Sequence, residues 1–352
     1  MTDTLATFWF GAPLGIIEQI SALSVIAAGH KLVIYTTDEL KGVPPGIEIR
    51  PAREILDSEI VRHRKTGSAA LHSDLFRYAL LNKTDATWVD LDIVLLRPLP
   101  SDKPYLFGYE SANEVNGAVL RLPKSSAALR ELSLYNAETR GYPATLRGFR
   151  RFKYIVKSLG MGLHIADWPW GSVGPRALTH HLGKTGEIRE ALGINAFYPI
   201  AFEQAKRFAT PDDLSLTSFP EETLAVHLWG KALRNHLRDK CGGRVPERSF
   251  LDLAALADMV DAAGPFKLHD EEEMLVAVAA DIVPVAMDPV EIVRDMGELH
   301  AADIDPAGCT PHGLAPFREP RVEAAADGLQ VIGPLIIGNR IPVRWHQTAT
   351  VQ

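Results

Sequence analysis

Asp90-Leu91-Asp92 interrupts an otherwise apolar run, Ala86 to Leu96. Residues i and i+2 of a strand face the same side, so on a continuous strand this spacing predicts two carboxylates side by side. Burying two unpaired carboxylates costs more than a strand returns, so they need a cation or an exposed strand end. A hard divalent ion with oxygen ligands meets the first requirement and can still bind diphosphate oxygens. The plain alternative is that both acids face solvent. Asp74 and Arg77, three residues apart, share one face of a helix. On a surface such a pair is worth little. In a site, the guanidinium can fork onto hydroxyls or a phosphate.

The elements that must position these residues are legible in the hydrophobic pattern. Residues 5–10 read as a short buried strand broken by Gly11-Ala12-Pro13. Leu14 to Ala28 has apolar residues at helical spacing and ends at Gly29; Lys31 to Thr36 is a second, β-branched strand. A strand–helix–strand unit with this crossover implies a parallel sheet. Ile47 to Arg50 reads as a third strand, with a short helix around Arg53 to Leu56. Ser73 to Leu81 reads as a helix N-capped by Ser73, and Ala86 to Leu96 as one central strand. Tyr105–Tyr109 and Gly117–Leu122 read as strands and Ser126–Asn136 as a helix. Gly171 to Leu182 is a loop entering a helix with Pro175 in its first turn, and Phe250 to Ala263 is a terminal helix.

From Asp270 to Asp305 eleven acidic residues face one arginine, Arg294, and the chain then becomes rich in Pro and Gly, with β-like runs at Leu329–Ile332 and Leu335–Ile337. This shift sets an expected boundary near Gly264: residues 1–264 form the main domain and 265–352 a C-terminal accessory region with short strands. The 352 residues include 37 Lys+Arg against 44 Asp+Glu, a net charge of −7, which argues against general nucleic-acid binding. Cys241 and Cys309 are too far apart for a cysteine-based zinc site or a disulfide framework. The N-terminus lacks the pattern of a signal peptide, and Leu14 to Ala28 is too short to span a bilayer, so a soluble, cytoplasmic protein is expected. Arg147, Arg150, Arg151, Lys153 and Lys157 form a basic run without an acid. It is either a solvated helix face or a contact for an anionic acceptor or a peripheral membrane surface.

Three blocks, Ser73-Asp74-Leu75-Phe76-Arg77-Tyr78, Trp88-Val89-Asp90-Leu91-Asp92 and Leu96-Arg97-Pro98-Leu99, together resemble the central block of a family of retaining Asp-x-Asp glycosyltransferases of the GT-A fold. These enzymes are grouped with the yeast initiating mannosyltransferase and bacterial capsular polysaccharide transferases. The glucosylating domain of the large clostridial toxins is a more distant relative. Phe8-Trp9-Phe10-Gly11 resembles their first-strand motif, Gly171-Ser172-Val173-Gly174-Pro175 their acceptor-side turn, and Ala225-Val226-His227-Leu228-Trp229 their C-terminal His-x-Trp strand. The resemblance spans roughly residues 5–235. The family's Gly-Gly before the Asp-x-Asp strand is replaced by Lys83-Thr84-Asp85-Ala86.

The resemblance implies an α/β fold with a Rossmann-like mixed sheet flanked by helices. It implies a Mn²⁺ or Mg²⁺ ion held by Asp90, Asp92 and His227, the imidazole suiting Mn²⁺. It places Trp9, Phe10, Gly11, Ser73, Asp74, Arg77 and Tyr78 around a nucleotide-sugar donor, with Trp9 stacking on uracil. Asn116 meets the acceptor or the transferred sugar. By residue type alone, Asp167, Trp168 and Trp170 either suit the sugar face of a hydroxyl-bearing acceptor or belong to a packed loop. Lys231 and the Trp229 indole N–H would act on the departing diphosphate. The expected reaction is metal-dependent sugar transfer from a nucleotide sugar, a UDP-sugar first, to a hydroxyl with retention, in polysaccharide, glycolipid or other glycan synthesis. A non-catalytic sugar-nucleotide or glycan-binding module on the same fold is the alternative. Nucleotidyl transfer would want a basic, Gly-rich loop after the first strand, and Gly11-Ala12-Pro13-Leu14 carries no charge.

Overall fold

The architecture follows from which strand residues find which helices. In the computed structural model, which describes residues 3–263, 321–325 and 328–332, β1 (Thr4–Phe8), α1 (Ile16–Ala27) and β2 (Lys31–Thr36) form the expected start of a parallel sheet. Gly29 closes α1 in the left-handed region, at φ +79°. β3 (Glu48–Pro51) adds to β2 in parallel as an exposed edge and runs into a 3₁₀ turn at Ala52–Glu54. α2 (Ala70–Lys83) leads into β4 (Thr87–Val89), which pairs parallel to β1. The chain continues through β5 (Ile93–Leu95), β6 (Leu106–Ser111), β7 (Glu114–Arg121), α3 (Ala127–Leu132), β8 (Arg140–Gly141), α4 (Gly148–Lys157), β9 (Leu163–His164), α5 (Pro175–Thr185), β10 (Ala225–His227), α6 (Gly230–Lys240) and α7 (Phe250–Ala263).

The main sheet has six strands in the order β3-β2-β1-β4-β7-β6. Its first four strands are parallel; β7 and β6 are antiparallel additions. Successive residues divide between its faces: Leu5, Leu32, Val89 and Val119 join one apolar cluster with α1, α6 and α7, whereas Ala6, Val33, Trp88 and Leu120 join another with α2, α3 and α5. This mixed α/β sheet flanked by helices is the expected fold class.

Three local expectations are corrected. The run Ala86–Leu96 is two strands in two sheets, because β5 leaves the main sheet to pair antiparallel with β10. Ser73 lies inside α2 rather than capping it; the helix starts three residues earlier, and Ser68 Oγ accepts the Ala70 N–H at 3.2 Å. The helix expected over Ser126–Asn136 stops at Leu132, although Ser126 does cap it by accepting the Leu129 N–H at 3.0 Å.

The chain divides into two units, Met1–Ala263 and Gly264–Gln352. In the second, β11 (Arg321–Ala325) and β12 (Gly328–Ile332) form an antiparallel pair. The run Leu335–Ile337 lies outside the described residues. Among the described residues no helix is long and apolar enough to cross a membrane.

β5 pairs with β10 along one edge, and on its other side it is served by α1. Ser21 Oγ donates to the Ile93 carbonyl at 2.6 Å, and Ser24 Oγ accepts the Leu95 N–H at 3.0 Å. Both serines are buried. An orphaned buried polar group costs about 1–3 kcal/mol. Ser21→Ala is therefore expected to lower unfolding free energy by about that amount in urea titrations; an unchanged midpoint would show that β5 does not need this bond.

Candidate metal centre

The crossing from one sheet to the other is what creates the site. The Asp90 N–H still donates to the Ala118 carbonyl of β7, at 2.8 Å, as the last bond of the main sheet. Two residues on, the Asp92 carbonyl accepts the Leu228 N–H at 2.8 Å, extending the pairing with β10. Leu91, between them, is buried in the core. The two acids are thus not neighbours on one continuous strand face, and each has its own partners. Even so, ligand atoms of Asp90, Asp92 and His227 lie within 4.8 Å of one another.

Asp92 Oδ1 lies 3.1 Å from His227 Nε2, and Oδ2 accepts the Gly230 N–H at 2.8 Å at the start of α6. Burial pushes the Asp92 carboxyl up, but His227 and the Gly230 amide outweigh it and hold its pKa down at about 2. Burial works against protonation of His227, and the Asp92 carboxylate reverses this, raising its pKa. Asp90 Oδ1 takes two donors, Arg77 Nη2 at 2.8 Å and the Trp88 indole N–H at 2.6 Å. Two carboxylates and an imidazole are a donor set that hard and borderline divalent cations accept. His227 Nδ1 is buried without a hydrogen-bond partner, and among the described residues Asp90 Oδ2 also has none. With one ligand atom from each, the three residues could hold a divalent metal.

Arg77 is the buried cation behind the site. Its Nη1 donates to Asp74 Oδ1 at 3.1 Å, its plane lies over Trp88 at 4.8 Å, and its Nε is buried without a partner. The fit is close: a Cβ on Gly117 would stand 2.9 Å from Arg77 Nη1, and one on Gly174 would stand 2.7 Å from Asp74 Oδ2. Burial raises the Asp74 pKa to about 7 despite the opposing pull of Arg77.

These groups open onto a cleft of about 520 Å³, within the usual range of small-molecule sites. Trp9, Phe10, Ser73, Asp74, Arg77, Asp90, Asp92 and Asn116 line it, as do Trp168 and Trp170. β1 ends at Phe8, which leaves Trp9 just beyond the strand with its indole N–H on the Ala12 carbonyl at 2.8 Å. Asn116 is engaged on both sides, by Glu110 and by the Ala118 N–H. Asp167 pairs with Arg64.

Six of the sequence-derived candidates, Gly11, Tyr78, Asp167, His227, Trp229 and Lys231, do not line the cleft, and the buried His227 reaches the site through Asp92. Gly11 is exposed, at φ +77° with open space where a Cβ would be. Tyr78 is buried, its hydroxyl donating to the Val173 carbonyl at 2.8 Å, so it holds the Gly171–Pro175 turn rather than a ligand. Lys231 is exposed on α6. Trp229 is corrected: its indole N–H donates to the Ile200 carbonyl at 2.8 Å and has none left for a phosphate.

Sequence reasoning missed Glu18 and Arg234. Both line the cleft and pair with each other, joining the first turn of α1 to α6. Burial raises the Glu18 pKa, against the pull of Arg234. The signal was faint: one acid in an apolar helix, and an arginine four residues after Gly230.

No family model matches the sequence, and no curated protein matches it. One solved structure to which the chain is similar is the PaToxG glycosyltransferase, at 12% identity and a TM-score of 0.35 over 52% of this chain and 69% of that one.

With its pKa raised from 3.8 to about 7, Asp74 retains a proton in the folded protein that the unfolded chain has released. Its contribution to stability is full below about pH 4 and is lost as pH rises to about 7. The stability difference between wild type and Asp74→Asn is expected to shift against the wild type across that window in denaturant titrations. A difference independent of pH would place the Asp74 pKa near its ordinary value.

Proposed function

We propose that this protein is a metal-dependent glycosyltransferase that moves a sugar from a nucleotide-sugar donor, a UDP-sugar first among them, to a hydroxyl acceptor with retention. The observation that carries this reading is the convergence of Asp90, Asp92 and His227, the last two 135 residues apart, with both carboxylates lining a cleft large enough for such a donor and the buried imidazole meeting Asp92. The sequence blocks around them, which resemble the retaining Asp-x-Asp enzymes, support the same reading.

A divalent ion bound by Asp90, Asp92 and His227 would supply Lewis-acid stabilisation of the leaving diphosphate. The remaining roles belong to this chain's own side chains. Trp9 offers its ring face to the base, because its N–H is already committed. Arg77 has both Nη groups on carboxylates, so it acts by fixing Asp90 and Asp74 rather than by gripping the donor. Asp74 lines the cleft and accepts hydroxyl hydrogen bonds when ionised. Arg234, which also lines the cleft, adds a cation near Asp92 for the diphosphate. Trp170, half exposed, faces the acceptor side. The bond from the anomeric carbon to the diphosphate oxygen breaks through an oxocarbenium-like state, and the acceptor oxygen bonds on the same face. The acceptor's proton goes to the leaving phosphate oxygen.

The test is incubation of the full chain with radiolabelled nucleotide sugars and Mn²⁺, scoring hydrolysis and transfer. One donor is expected to turn over, and Asp92→Ala to reduce the rate at least about a hundredfold. Turnover that survives exhaustive chelation, or the Asp92 variant, would contradict the proposal.

A further inference from the structure

Residues 139–166 carry six basic side chains (Arg140, Arg147, Arg150, Arg151, Lys153 and Lys157) and no acid, in a chain whose net charge is −7. Among the described residues none of the six is paired with a carboxylate. The centre of this segment is α4, which has no buried residue. Its better-covered side is marked by Tyr154 and Ile155, both half-buried, and by Ser158, just past its end, whose Oγ bonds the Tyr142 hydroxyl at 2.7 Å. Phe149, Phe152 and Val156, spaced i, i+3 and i+7, form a stripe on another face. They are 80%, 59% and 56% exposed, and Leu159 and Met161 continue the patch at 84% and 77%. A ten-residue helix is marginal in water by itself, so such a stripe calls for a surface to bury it.

We propose that α4 is a docking helix for an anionic phospholipid surface, its phenylalanine stripe entering the headgroup–acyl boundary and its basic residues meeting the phosphates. Charge complementarity selects this occupant. A free phosphate or a nucleic acid would use the cations and leave the phenylalanines in water. A second copy of the chain, docked about a two-fold axis, would oppose this unpaired cationic surface to itself. A basic face beside an aromatic and aliphatic stripe matches an anionic leaflet.

The location gives the docking a consequence. The segment leaves the body of the protein at β8 and returns at β9, where Arg140 and Gly141 pair with His164 and Leu163. The Trp168 indole N–H is shared between the Gly141 and Leu163 carbonyls, at 3.2 and 3.1 Å, and Trp168 lines the cleft. A helix resting on a bilayer would thus be anchored directly to the cleft wall. The docking stands on α4 alone and does not depend on the transfer reaction.

The test is co-sedimentation of the full chain with phosphatidylcholine vesicles and with vesicles containing about 30% phosphatidylserine. Wild type is expected to bind the anionic vesicles at least about tenfold more tightly and to lose that advantage at high salt, since each cation near an anionic leaflet contributes roughly fivefold. Phe149→Ser with Phe152→Ser is expected to weaken binding about tenfold or more with no change in melting temperature, because neither side chain is buried. A Phe149→Trp variant is expected to blue-shift on anionic vesicles and to be quenched by brominated acyl chains. Equal binding to both vesicle types, no binding to either, or full binding by the double serine variant would overturn the proposal. So would capture of RNA or polyglutamate as tight as that of the anionic vesicles.

Discussion

Negative charge at the end of an apolar strand is the constraint around which the molecule is arranged. The chain reaches Asp90 with Val89 and Trp88 buried behind it and enters another buried strand immediately after Asp92. An ion left unpaired there would cost several kcal/mol. Each carboxylate is met by a different part of the fold: Asp90 by Arg77 of α2 and the Trp88 indole, Asp92 by His227 of β10 and the first amide of α6. The switch from the main sheet to the β5–β10 pair is what permits this. One acid closes the hydrogen bonding of the first sheet and the other opens that of the second.

The same demand shapes the neighbourhood. Arg77 is buried in answering Asp90, and its other Nη group takes Asp74. Neither residue tolerates a side chain at Gly117 or Gly174 without moving. Gly174 sits in the turn that the Tyr78 hydroxyl holds through Val173, so α2 controls the carboxylates and one wall of the cleft together. Glu18 and Arg234, which also line the cleft, tie the first helix to α6. The cleft is therefore lined by groups whose positions are set by ion pairing within the protein.

Local pattern was enough for much of this. β2 and α7 fall on the ranges that periodicity indicates, because each has a clear apolar repeat and a clear break. Asp90 and Asp92 were also readable, since carboxylates in an apolar run have few physical uses, whereas His227 was singled out only by the resemblance of Ala225–Trp229 to a family motif. What the chain hid was tertiary. Nothing local says that Ala86–Leu96 divides between two sheets, because both halves are equally β-branched and apolar. Ser73 reads as a cap only because the preceding turn, Ala70–His72, lacks periodicity of its own. Trp229 was assigned to a phosphate on the strength of its neighbours, whereas its N–H serves a carbonyl 29 residues away. Glu18 and Arg234 are invisible as a pair, being 216 residues apart.

The central claim is that Asp90, Asp92 and His227 together grip one divalent cation. Titration of the full chain with Mn²⁺, followed by electron paramagnetic resonance of the free ion, tests it most directly. One tight site per chain is expected, weakened at least about tenfold by Asp92→Asn and by His227→Ala. No tight site, or a site that both variants retain unchanged, would contradict it.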